Sequence, residues 1–315
     1  MKRISFGGNL KILFHLFIFS IISILIICLP ISLKAQDNTI EEIPGKFNDF
    51  WAFSEGLAPV KKDGKWGFID RNGNFIIQPE LEWVWYFSEG LAPANQNKKR
   101  GFIDKTGKFV IPAKFDGSRN FSDGLASIKV NGFFGFIDKE GNLIIKPEYT
   151  NTGDFSEDLA SVKFNGLWGY IDKKNNFVIP PQYSEASKFV EGKAPVMKGG
   201  KWGYINKKGK FEIEPIYEYA KPFSEGLAPV RQNGKYGYID VKGNFVIPAQ
   251  YDNAEEFKEG YGLVKLNDKW GYIDKSGLIL IPIQYDYALT FSEGIAPVRE
   301  NGENKFLKLI NSKES

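Results

Sequence analysis

One stretch of this chain returns at a fixed interval, and that interval limits what the chain can fold into. The stretch opens Phe53-Ser-Glu-Gly-Leu-Ala-Pro-Val60, continues Lys65-Trp-Gly-Phe-Ile-Asp70 and closes Asn74-Phe-Ile-Ile77. Its leading Phe recurs at 87, 121, 155, 189, 223, 257 and 291, always 34 residues on. The ring–glycine pair keeps the same step: Trp66-Gly67, Phe134-Gly135, Trp168-Gly169, Trp202-Gly203, Tyr236-Gly237 and Trp270-Gly271, with Arg100-Gly101 in the second unit. No insertion or deletion breaks the period. A unit this small cannot bury its apolar face alone, so the chain is an array in which each repeat packs on its neighbours.

Within one unit the pattern predicts three short strands. Leu57 to Lys62 and Trp66 to Ile69 flank Asp63-Gly64, a dipeptide suited to the positive φ of a tight hairpin. Asp70 to Gly73 reads as a turn, repeated as Asp104 to Gly107, Asp138 to Gly141 and Asp274 to Gly277. Asn74 to Ile77 is the third strand, and a proline near its end (Pro79, Pro112, Pro147, Pro215, Pro248, Pro282) suits an edge. A looser connector leads to the next Phe. Helical repeats of the same length exist, but several glycines per unit weaken packed helices, and aromatic and β-branched residues fill the gaps, so all-β is expected. The ring of each pair is expected in the core, its glycine allowing close backbone approach.

These elements resemble the WG-repeat family, also called KWG repeats, over about Phe47 to Ile310. The resemblance implies a β-rich repeat domain of a mostly bacterial family, serving interaction, with no catalytic residues to carry over. Departures are Arg100 and Phe134 at the Trp place, Asp158 at a motif glycine, and Asn304-Lys305 in the last unit.

The expected architecture is a tandem array of eight units of about three antiparallel strands each, forming an open, curved, solenoid-like β array. A closed, eight-bladed, propeller-like ring is the alternative. It has a sequence argument: Ile43-Pro44-Gly-Lys-Phe47 aligns with Ile111-Pro112-Ala-Lys-Phe115 and offers a third strand, while the last unit supplies only two, at Ile295 to Arg299 and Phe306 to Ile310. Three strands are thin for a propeller blade, which favours the open form. Residues 36–52 then form a partial repeat or cap, 53–310 the repeat domain and 311–315 a polar tail.

Residues 1–35 read as a signal peptide. Lys2, Arg3 and Lys11 precede an uncharged run from Ile12 to Leu33, and cleavage is expected after Ala35. The run is also long enough for a retained membrane anchor, the alternative reading. Ile27 is too bulky to make Cys28 a lipidation site. The segment carries four of the 41 Lys and Arg residues and none of the 38 Asp and Glu residues, which leaves 37 against 38, a net −1. Nucleic acid is therefore not an expected partner. The only Cys and the only His, Cys28 and His15, leave with the leader, and with them disulfide, thiol and Cys/His zinc chemistry.

Each unit places an acid before its motif glycine: Glu55, Glu89, Asp123, Glu157, Glu191, Glu225, Glu259 and Glu293. Calcium solenoids need a denser Asp and Gly pattern, so each carboxylate is expected to accept backbone N–H groups of its own turn or to face a lysine of the next unit. No cofactor, metal or catalytic residue is expected. The place two residues before the motif Phe varies freely, and the first two units put Trp51 and Trp85 there. With Trp83, Tyr86 and Arg100 close in sequence, these residues form a candidate binding site, since Trp, Tyr and Arg dominate binding hot spots; the competing reading makes them a cap on the open end of the array. The expected function is an exported, non-enzymatic scaffold for protein–protein interaction in the periplasm, at the cell surface or outside the cell. The alternative is a carbohydrate-binding module for cell-wall or extracellular glycan. Contact with a membrane is expected only through an uncleaved leader.

Overall fold

The computed structural model describes residues 39–42 and 47–310, so the leader with Cys28 and His15, the Ile43 to Lys46 part of the aligned segment and the polar tail lie outside the described residues. The array is closed, not open: eight small antiparallel sheets form the blades of a β-propeller. The first blade holds β2 (Asp49–Phe50), β3 (Ala58–Lys62), β4 (Lys65–Ile69) and β5 (Phe75–Leu81), paired in that order. Closure comes from β1 (Thr39–Glu42), which pairs antiparallel with Glu303–Ile310 and supplies the fourth strand of the last blade. The missing strand was thus available upstream, as the alignment of Ile43 to Phe47 suggests, but is built from the residues just before it.

The open form is overturned for a second reason. The connector contains a strand of its own, such as Asn253–Ala254 or Tyr219–Ala220, so most blades have four strands rather than three. Two paired residues are too short to show in a hydrophobic pattern. These first strands lie nearest the axis, while the fourth strands have alternate residues exposed along the rim, where their prolines blunt the free edge.

Among the described residues the core is divided into eight apolar clusters, one at each junction between blades. The motif Phe of one blade packs on the ring after the motif glycine of the blade before it. Centroids lie 4.8 Å apart for Phe68–Phe87, Tyr170–Phe189 and Tyr238–Phe257. Phe306 meets Phe53 at 5.5 Å across the closing junction. The Trp of the pair is buried at Trp66, Trp168 and Trp202, while Phe134, Tyr236 and Trp270 are half-buried. Its glycine sits where the strand register shifts, against the backbone of the fourth strand. A Cβ on Gly203 would lie 2.6 Å from both the Ile213 oxygen and the Pro215 nitrogen. Here backbone approach, not turn geometry, demands glycine.

A polar belt runs round the same junctions. Motif acid and glycine form a tight turn in which both residues have positive φ, 54° at Glu157 and 52° at Glu55, for example. Each carboxylate accepts the turn N–H of the following blade: Glu55 from Gly90, Glu89 from Gly124, Glu157 from Gly192, and so on to Glu293 from Gly56, which closes the circle. Asp123 and Asp158 keep the contact in altered form, the Asp158 N–H donating at 2.9 Å. Lysines of the next blade add Lys105–Glu55, Lys139–Glu89, Lys207–Glu157 and Lys275–Glu225, and Arg71–Glu293 completes the series. Serine hydroxyls, such as Ser54 donating to the Phe87 carbonyl at 2.7 Å, tie the blades together beneath it. The Asp-to-Gly turns are held by their own aspartates. The Asp172 carboxyl lies below its usual range, first through the Asn176 side-chain amide and then through that residue's backbone N–H.

Two outcomes follow. Gly203→Ala should lose about 3 kcal/mol in chemical denaturation, because the obstacle is backbone, whereas Gly166→Ala, at φ 84° in open space, should lose only about 1 kcal/mol. At the belt, Glu157→Ala should cost about 1–2 kcal/mol and Glu157→Gly less, because glycine relieves the positive φ; Lys207→Ala should cost under about 1 kcal/mol, as a solvent-exposed ion pair. Equal losses for the Ala and Gly variants at 157 would show that the turn stores no strain.

Candidate functional site

The repeat is least regular in the second, third and fourth blades, and a cavity of about 440 Å3 opens there. Three kinds of departure meet there. Arg100 replaces the motif Trp. Phe102 and Phe136 stand where later blades have tyrosines whose hydroxyls bind the chain just past the next blade's first strand, as Tyr170 donates to the Ser187 carbonyl at 2.7 Å. Ser127 and Ser161 replace a proline that other blades carry at 59, 93, 195, 229 and 297. The backbone of that residue faces the first strand, and serine offers it an N–H that proline lacks. The first strands of blades three and four accordingly run six residues, Gly117–Ser122 and Asn151–Ser156, rather than two. Blade seven, with Leu263 at that place, keeps a short strand, so the N–H permits the long form without imposing it. Between the long strands, Ser127 and Thr152 share a buried hydroxyl–hydroxyl bond of 2.6 Å.

Trp83, Trp85, Tyr86 and Phe134 form the aromatic side of the cavity, and Arg100, Ser118, Arg119, Asn120 and Asp154 the polar side. Arg100 lies over Trp83 with its guanidinium carbon 4.0 Å from the ring centre, and donates to the Ser118 carbonyl at 3.1 Å. Trp83 stacks on Trp85, centroids 5.8 Å apart. Trp51 does not line the cavity: it packs behind, 4.5 Å from Trp85 and stacked on Trp66 at 6.4 Å. Four of the five sequence candidates are thus brought together, and the fifth supports them. In a closed ring no open end exists for these residues to cap. Lys99, their neighbour in sequence, is paired with Asp116 at 2.5 Å.

The polar side was not anticipated. Asn120 donates its amide to the Tyr86 carbonyl at 2.9 Å, leaving its oxygen without a partner. Ser118 Oγ and Asp154 Oδ1 are also buried and unpartnered. Ser118 and Asn120 are only 6% and 7% exposed, so solvent on the outer surface does not serve them. Each such atom costs about 1–3 kcal/mol. Burial pushes the Asp154 carboxyl above its usual range, opposed in part by Arg119 and Lys188. The sequence held a signal for two of these residues: the place just before the motif Phe reads Ala52, Tyr86, Asn120, Asp154, Lys188, Pro222, Glu256 and Thr290, and so varies like the one before it. Among the described residues, no three His, Cys, Asp or Glu residues are grouped to hold a metal, and no helix is long and apolar enough to cross a membrane.

The structure is an eight-bladed β-propeller with an irregular sector and a lined cavity in it. The family profile described as "WG containing repeat" matches residues 41–66, 66–99, 101–132, 134–168, 168–202, 202–236, 236–270 and 270–303, and the chain belongs to that family. Among solved structures it is similar to the computationally designed Ika8 protein, with TM-score 0.57, 11% identity, and coverage of 86% of this chain and 98% of that one. The C-terminal WD40 domain of Sif2 gives TM-score 0.56 at 10% identity, covering 87% and 99%. A eukaryotic initiation factor gives 0.54 at 13%, covering 79% and 80%. At these identities the likeness concerns the fold alone. No curated protein sequence matches the chain.

Asp154 provides a pH test. Its folded-state value is raised above the unfolded one of about 3.9, so its ionisation weakens the fold as pH rises through that range. Asp154→Asn should therefore match the native protein below about pH 4 and exceed it in stability at neutral pH. Denaturation curves at both pH values check this, and a difference independent of pH would refute it.

Proposed function

We propose that this protein is an exported, non-enzymatic scaffold that works in protein–protein interaction at the cell envelope or outside the cell. The observation that carries the reading is the grouping of Trp83, Trp85, Tyr86 and Arg100 round one cavity in the sector where the repeat is broken. Elsewhere the place of Arg100 carries a ring that serves a blade junction, as Trp168 and Trp202 do. Here the four residues build a concave, partly open patch of the residue types that anchor interfaces. Tyr86 is 37% exposed and Arg119 stands exposed beside it, so a partner meets both an aromatic and a cationic contact. Export rests on the leader read in residues 1–35. The absence of catalysis rests on the sequence, which offers no nucleophile–base arrangement, and on the belt acids, which are engaged in holding the turns of adjacent blades.

Capture from envelope extract tests the reading. The native protein should retain a specific protein, and Tyr86→Ala with Arg119→Ala should release it, while Lys201→Ala in blade five retains it. Equal retention by all three forms would remove the site, and retention of no protein would remove the scaffold reading.

A further inference from the structure

The cavity floor is short of hydrogen-bond donors. Asn120 Oδ1 and, when ionised, Asp154 Oδ1 only accept, and Ser118 Oγ is free to do either. The amide nitrogen of Asn120 is already held by the Tyr86 carbonyl. A ligand that completes this floor must therefore bring several donors. Charge narrows the class. Arg100 is stacked on Trp83, Arg119 and Lys188 act on Asp154, and Asp116 is paired with Lys99, so an ammonium or guanidinium group meets surplus positive charge. A full anion, itself only an acceptor, finds acceptors on the floor in Asn120 Oδ1 and the Asp154 carboxylate. A neutral group suits both. On the other side, Trp85, Tyr86 and Phe134 offer apolar ring surface, and the volume of about 440 Å3 falls at the small end of ligand pockets.

We propose that the cavity binds one neutral, hydroxyl-rich ring, a single saccharide unit. Its hydroxyls donate to Asn120, Asp154 and Ser118, and its C–H face lies against the aromatic wall. This is a second binding capacity, beyond the protein docking proposed above: a protein covers the aromatic and cationic rim, whereas the floor admits only a small group.

Titration of the purified exported protein with glucose, galactose and N-acetylglucosamine, and with lysine and acetate as charged probes, tests it by calorimetry and by tryptophan emission from Trp83 and Trp85. At least one neutral sugar should bind saturably to one site, and Asn120→Leu should weaken it about tenfold or more. Ser118→Ala, the milder change, should weaken the same sugar without lowering the melting temperature, which guards against misfolding of the first variant. The proposal is overturned if no sugar binds saturably up to about 100 mM, if both variants bind as the native protein does, or if a charged probe binds better. Failure of the sugars with protein capture still sensitive to Tyr86 and Arg119 would sink this proposal and leave the docking surface standing.

Discussion

Eight carboxylates, each held in a left-handed turn and each reaching the backbone of the next blade, are the constraint on which the ring depends. Glutamate in that conformation costs roughly 1–2 kcal/mol, while a hydrogen bond from backbone N–H to a carboxylate returns about 1.5–3 kcal/mol. The two nearly balance, so the belt contributes little net stability and a great deal of geometry. It fixes the separation and phase of neighbouring turns. The apolar clusters beneath supply the stabilising burial, and they form only when adjacent blades are set at that phase.

Regularity and function are separated along the ring. In the later blades, tyrosine hydroxyls such as those of Tyr204 and Tyr272 satisfy carbonyls just past the first strand of the next blade, and most blades carry a proline that denies the first strand an N–H. Loss of the tyrosine in blades two and three and of the proline in blades three and four accompanies two longer strands, a cavity and three polar atoms without partners. A fold held by its other, regular junctions tolerates one costly sector.

Much of this was legible in the residues. The period, the hairpin at Asp63-Gly64 and the place of each motif ring in the core follow from spacing and turn chemistry. The belt was half visible: the acids were expected to accept N–H groups of their own turns or to face the next unit's lysine, whereas the N–H belongs to the turn of the next blade. Closure was legible only as the alternative. The strand Thr39–Glu42 falls within the partial repeat read at residues 36–52, just ahead of the aligned Ile43 to Phe47, and two-residue strands such as Asn253–Ala254 leave no alternation to read. At the site, Trp83, Trp85, Tyr86 and Arg100 stand out because aromatic and cationic residues are conspicuous in a variable connector. Asn120, Asp154 and Ser118 do not, because what distinguishes them is burial without a partner, which only the packed ring creates.

The mixed blade has a mechanical consequence. Because Thr39–Glu42 is the outermost strand of the last blade, whatever precedes Thr39 in the chain joins the disc at its circumference. Tension on that segment pulls on a four-residue ladder at the rim. The first element to peel under such load is the strand that completes the ring.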